Sequence, residues 1–263
     1  MSATGDDGGI RVERRGDVDV VTIDRPETRN ALTLASFAAL RRAVLDTTAR
    51  CLVITGAGTA FCSGDDVRQV MGGGDAGETA ARLAAKPQVT PAGHALLTTD
   101  VPVIAAVNGP AVGWGMELAL MCDLRVASER ARFGALFVLR GLCCDVAGLA
   151  RLASLVGREK ASELLLTGDV IDAAEALRIG LVSRVVPEAD LLPTALGLAD
   201  KIAANPPLAV ARIKQGVRRA LDPDWEELGA WVSGSLAELF TTADHAEGVR
   251  AFLEKRPARF VGR

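Results

Sequence analysis

Apolar residues fall in two kinds of run along this chain. CLVITG (51–56) and VPVIAAV (101–107) are short and nearly unbroken, as buried strands are. DVDVVTIDR (17–25) partly alternates and reads as a strand ended by Pro26. LTLASFAALRRAVLDTTA (32–49) places Leu, Phe and Ala at helical spacing, with Thr33 as its N-cap. Gly56, Gly58 and Gly64 mark a tight loop after the 51–56 strand. MGGGDAGE (71–78) reads as a flexible loop leading into a helix that runs to about Thr98. DLRVAS (123–128) is a further strand. From about residue 146 the spacing is helical, interrupted by GLVSRVVP (180–187), a strand ended by Pro187, and helices dominate after 190. Strands alternating with helices and followed by a helical tail predict an α/β core with an α-helical C-terminal region. No Pro/Ser-rich linker separates the two, and no internal repeat is evident.

One apolar stretch carries a charge. VIAAVNGPAVGWGMELALMC (103–122) contains Glu117 and no Lys or Arg. It is about long enough to span a membrane, yet Asn108-Gly109-Pro110 breaks it, and it reads as a buried strand, a turn and a buried helix starting near Gly115. An unpaired carboxylate in such a wall is costly, so Glu117 needs either a helix N-terminus to satisfy it or a chemical role.

Composition narrows the field. The 263 residues suit one large domain, or a core plus a small appendage, and 49% are hydrophobic. A formal net charge of −3 argues against nucleic acid as the main partner. The five cysteines form no C-x-x-C pair and His94 and His245 lie far apart, so no metal site is expected. The polar, acidic start MSATGDDGGI is no signal peptide; reduced thiols and a cytoplasmic location are the expectation, with no membrane partner.

Two strand–turn–helix units stand out: VITGAGTAFCSGDDVRQV (53–70) and VIAAVNGPAVGWGMELAL (103–120). Unpaired N–H groups at two such helix starts can converge as an oxyanion hole; the plainer reading is that the glycines allow close strand–helix packing. ITGAGTAFCSGDD, followed some fifty residues on by PVIAAVNGPAVGWGMELALMCDLRVASERARFG, resembles the enoyl-CoA hydratase/isomerase, or crotonase, family. The resemblance begins at IDRPETRNALT (23–33), continues through LLLTGDVIDAAEALRIGLVSRVVP (164–187) and ends with EGVRAFLEKRPARF (247–260).

The resemblance implies a ββα spiral core binding acyl-CoA over residues 1–195 and a C-terminal helical oligomerisation region over 196–263, assembling as a homotrimer or homohexamer. It implies a coenzyme A thioester substrate and no cofactor. The thioester oxygen would sit between the backbone N–H groups of Asp65 and Trp114, with a Trp where the family usually has Gly. The side chain of Asp65 is expected to point away, and Asp66 to cap the following helix. Glu117 falls on one of two catalytic glutamates of the hydratases. The position of the second holds Phe137, and the next acid is Asp145, where dienoyl-CoA isomerases and 4-chlorobenzoyl-CoA dehalogenases place a working Asp. Asp145 also reads as the N-cap of a helix over 146–157. Coenzyme A is expected along Arg29, Asn30 and Ala31 and the Gly56–Gly64 loop, with Phe252 and Lys255 reaching it from an adjacent subunit's tail.

The leading expectation is hydration of a 2-enoyl-CoA to a 3-hydroxyacyl-CoA through Glu117. The alternatives are other crotonase chemistry using Asp145 (dienoyl-CoA isomerisation, thioester hydrolysis or dehalogenation) and non-catalytic acyl-CoA binding.

Overall fold

The computed structural model describes residues 8–66, 76–86 and 88–263. Nine strands among them build two sheets. The first begins with β1 (Ile10–Arg15) and β2 (Val18–Ile23), an antiparallel pair joined at Gly16. To these are added in parallel β3 (Cys51–Gly56), β4 (Val103–Val107), β6 (Leu124–Ser128) and β9 (Arg184–Val186), in the order β1-β2-β3-β4-β6-β9. The second sheet is small: β5 (Pro110–Val112), β7 (Arg132–Gly134) and β8 (Ile171–Asp172).

Strands β3 and β4 are buried on both faces over most of their length, as their unbroken apolar runs predict. Alternate residues of β3 divide between two cores. Leu52 and Ile54 face the larger one, with α1 (Leu34–Leu45), α3 (Pro91–Thr98) and α4 (Trp114–Met121). Cys51 and Val53 face a smaller one, closed by α8 (Glu188–Ala203) through Leu191, Ala195, Ala199 and Ala203 at four-residue spacing. Fully burying a Leu or Ile is worth about 1.5–3 kcal/mol, so both layers are held chiefly by these faces. The expected division after residue 195 falls inside α8.

Local signals agree with the elements. Thr33 caps α1 in a reciprocal pair with Ser36. Asp145 caps α5 (Val146–Val156), its carboxylate accepting from the Val146 N–H at 2.8 Å. Three expectations need correction. The single helix expected up to Thr98 is two, α2 (Ala76–Ala85) and α3, because Pro91 can open a helix but not sit inside one. Of the loop expected over 71–78, residues 71–75 lie outside the described residues, and 76–78 already belong to α2. The strand expected over 180–187 shortens to β9, because Leu181 and Val182 turn back to bond the end of α7 (Ala173–Arg178).

The remaining helices are α6 (Arg158–Thr167), α9 (Pro207–Leu221), α10 (Trp225–Phe240) and α11 (Ala243–Glu254). No helix is long and apolar enough to cross a membrane among the described residues.

Candidate active site

The two glycine-rich turns meet. Cys62 and Phe61 donate to the Pro110 carbonyl, and Val112 donates back to Cys62 at 3.0 Å. Asn108 ties the same turns: its Nδ2 reaches the Gly58 and Ala60 carbonyls at 3.0 and 3.1 Å, while its Oδ1 accepts from the Gly56 N–H. Asn30, fully buried at φ 59°, donates to the Ala57 and Ala60 carbonyls. Helix α4 therefore starts against β3's loop with almost no gap. A Cβ on Gly115 would lie 2.0 Å from the Cys62 carbonyl oxygen, so only glycine fits there.

This docking brings two amides together. Trp114 opens α4, so its N–H has no partner inside the helix. Leu32 bonds Gly64 and Asp66 and skips Asp65, whose N–H makes no main-chain bond to Leu32 and lies within reach of its own carboxyl. Gly64 lies between them, a Cβ there falling 3.1 Å from the Trp114 nitrogen. Fixed donors at a helix start are suited to a developing oxygen anion.

Glu117 follows Trp114 by one turn and projects from α4 onto the first turn of α5. It is 1% exposed. Its Oε2 accepts from the Gly148 N–H at 2.8 Å. Burial, then the nearby charge of Asp145, raise its pKa well above the usual carboxylate range; the amides of Gly148, Asp145 and Ala147 partly offset this. The carboxylate is thus satisfied by a helix N-terminus and also holds a proton more readily than an exposed carboxylate does. Asp145, 8% exposed, is likewise raised by burial, with the Val146 amide and the Trp114 side chain opposing. Like charges this close titrate as a pair.

Asp65 departs from expectation. Its half-buried carboxylate does not point away from the site. It is pushed up to about 7, by burial and then by Asp145, with its own N–H and Arg140 opposing. Three carboxyl groups thus share one locality. Arg140, 75 residues further along the chain, is the cation whose charge favours the ionised form of Asp65. Asp66 pairs with Arg25 at 3.6 Å, and the helix it was expected to cap lies outside the described residues. Phe137 sits half-buried against the main core beside Leu142, and brings no acid to the site.

The expected coenzyme A residues lie apart. Arg29 is exposed at φ 55°, whereas Asn30 and Ala31 are buried beside the Gly56–Gly64 loop. Phe252 is half exposed on α11, beneath the Arg140 guanidinium at 4.4 Å, and Lys255 ends that helix at φ 54°.

Residues 13–263 match the family model for enoyl-CoA hydratase/isomerase. The chain belongs to the enoyl-CoA hydratase/isomerase family. It is 38% identical to a short-chain-enoyl-CoA hydratase of Clostridium acetobutylicum over 94% of this chain and 95% of that one. A crystal structure of an enoyl-CoA hydratase/isomerase from Pseudoalteromonas atlantica superposes with a TM-score of 0.85, at 31% identity, covering 96% of this chain and all of that one. The carnitinyl-CoA hydratase of Mycobacterium avium superposes at 0.81, with 37% identity and 97% and 99% coverage. The fold is therefore the crotonase fold. Sequence reasoning missed Gly148 as the donor to Glu117, although its place in the first turn of a helix capped by Asp145 was a usable signal. It also missed Arg140, which becomes visible only through contacts across the fold.

Proposed function

We propose that this enzyme adds water to a 2-enoyl-CoA thioester to give a 3-hydroxyacyl-CoA, using Glu117 and Asp145 as its two acid–base groups. The observation that carries the reading is the joint placement of these carboxyls at the N-terminus of α5. Glu117 bonds Gly148, and Asp145 caps the same turn three residues earlier.

The thioester oxygen would lie between the N–H groups of Asp65 and Trp114. Ionised Glu117 takes a proton from water as the water oxygen bonds to C3. The C2=C3 electron pair moves towards the thioester oxygen, where the two amides stabilise it. Protonated Asp145 then delivers its proton to C2. Each turnover adds one water; it leaves Glu117 protonated and Asp145 ionised, and proton exchange restores the pair. Burial raises both carboxyls, so each holds a proton more readily than an exposed carboxylate and can exchange it with the other or with water. In this reading Asp145 supplies what an acid at Phe137 would otherwise supply.

Coenzyme A would run along Arg29, Asn30 and Ala31 and the Gly56–Gly64 loop, and no metal or further cofactor takes part. Phe252 and Lys255 would serve it from a neighbouring subunit of a trimer or hexamer, for which the exposed Ile213, Val217 and Leu221 of α9, four residues apart, offer an apolar stripe. The five free thiols suit a reducing compartment such as the cytoplasm. The core over residues 1–195 would hold the substrate and the helices over 196–263 the assembly contacts.

Incubation with crotonyl-CoA in ¹⁸O-water tests the reaction. The expected product is 3-hydroxybutyryl-CoA carrying one ¹⁸O at C3, lost in Glu117→Gln. Release of free coenzyme A without that product would point to thioester hydrolysis and overturn the reading.

A further inference from the structure

An apolar cavity of about 530 Å³ lies beside the catalytic carboxyls and takes no part in the proton transfers above. Its size falls within the range of about 300–1,000 Å³ usual for small-molecule sites. Phe137, Leu142, Leu165 and Leu239 form its walls. Its inner end reaches Cys144, the residue before Asp145. A Cβ on Gly148 would lie 3.1 Å from the Cys144 sulfur and 2.4 Å from Oε1 of Glu117, so this end abuts the proton-transfer groups. Asp244, Gly262 and Arg263 also border the cavity. Residues 257–263, which follow α11, form no helix or strand, and Phe260 and Val261 among them are exposed. Hydrogen bonds to the first half of α11 hold this segment in place. Asp244 accepts from the Val261 and Gly262 amides at 2.6 and 2.8 Å, and its own N–H donates to the Arg263 main-chain oxygen at 3.1 Å. Glu247 accepts from the Arg259 amide at 3.0 Å and from the Arg256 guanidinium.

We propose that Asp244 and Glu247 determine acyl-chain length: by pinning residues 257–263 against this cavity, they fix how much of the acyl chain it can take. The inference rests on the reading of the substrate as a 2-enoyl-CoA. With C2 and C3 between Glu117 and Asp145, the carbons beyond them leave past Cys144 into apolar surroundings. Phe137 suits that path. A hydrocarbon chain passing a carboxylate at this position would strip it of water at a cost, whereas an aromatic ring packs against the chain. The pinned segment is the part of the wall that yields most readily, because two carboxylates hold it and its large apolar side chains stay exposed. Losing either carboxylate frees the segment and lengthens the cavity, while α11 keeps its Thr242 cap.

Calorimetric binding of saturated acyl-CoA esters, from butanoyl-CoA to tetradecanoyl-CoA, reads the cavity without any turnover. For the wild-type chain Kd is expected to fall by about fourfold for each methylene buried, then to level off at the length where residues 257–263 stop the acyl chain. In Asp244→Ala the fall should continue for at least about two further carbons, another tenfold or so in Kd. Glu247→Ala should extend the limit in the same direction, which covers the case in which Asp244→Ala folds poorly. A wild-type Kd that does not fall beyond butanoyl-CoA overturns the cavity as the seat of the acyl chain. A limit absent from the wild type, or unchanged in both variants, overturns the role of Asp244 and Glu247. Because binding is read apart from chemistry, a limit that moves in an enzyme adding no water to crotonyl-CoA upholds this inference and overturns only the hydration reading.

Discussion

The Gly148 amide donates to Oε2 of Glu117 at 2.8 Å across the α4–α5 contact, and this bond explains how a carboxylate survives in an apolar wall. The N-terminus of α5 supplies the donors that solvent would otherwise supply. Among the described residues the carboxylate is held by main-chain donors and pairs with no cation, so it stays able to accept a proton.

Glu117→Gln keeps the shape and loses the base. Hydration of crotonyl-CoA should fall by about 10²–10⁴. Circular dichroism should show the fold unchanged, since an amide oxygen can still accept from Gly148.

Gly148→Ala attacks the same contact from the other partner. A Cβ there would lie 2.4 Å from Oε1 of Glu117 and 3.1 Å from the Cys144 sulfur. Displacing the carboxylate by about 1 Å should cost on the order of 10²-fold in kcat. KM for crotonyl-CoA should change much less, which steady-state kinetics will show.

Gly115→Ala and Gly197→Ala form a contrasting pair. The first places a methyl 2.0 Å from the Cys62 carbonyl oxygen, a main-chain atom that cannot swing aside. It should lower Tm steeply or prevent folding. The second lies on the exposed side of α8 with nothing within 4 Å, and should gain up to about 1 kcal/mol in urea unfolding.

The acid cluster sets a pH dependence. Asp65 titrates at about 7 in the folded chain against an ordinary value of 3.8. The folded state therefore binds more protons than the unfolded one between those values, and stability falls as pH rises through that window. Glu117 and Asp145 shift in the same direction. Thermal unfolding should give a higher Tm near pH 5 than near pH 8. Asp65→Asn should reduce that difference, with its gain confined to the alkaline side.

Much of this site was legible because its parts are local. Thr33 and Asp145 announce helix starts by residue type, and the runs of β3 and β4 announce buried strands by length. Glu117 drew notice through the apolar wall around it. The remainder depends on distant pairs. The small β5-β7-β8 sheet is built from strands of three, three and two residues, too short to show a period. β1, with only Ile10 buried, reads as a polar tail until β2 pairs with it. Asp65 was expected to face away, as a charge beside an oxyanion should; the charges that act on it, Asp145 and Arg140, lie 80 and 75 residues further along, and no local pattern carries that proximity.

The central claim is that Glu117 and Asp145 act together as the acid–base pair of an enoyl-CoA hydration. Turnover of crotonyl-CoA by the wild-type chain, Glu117→Gln, Asp145→Asn and the double variant tests it most directly. Each single variant is expected to lose at least about a hundredfold in kcat, and the double variant little more than the worse single one, since the two groups work as a unit. Full activity in Asp145→Asn beside an inactive Glu117→Gln would contradict it.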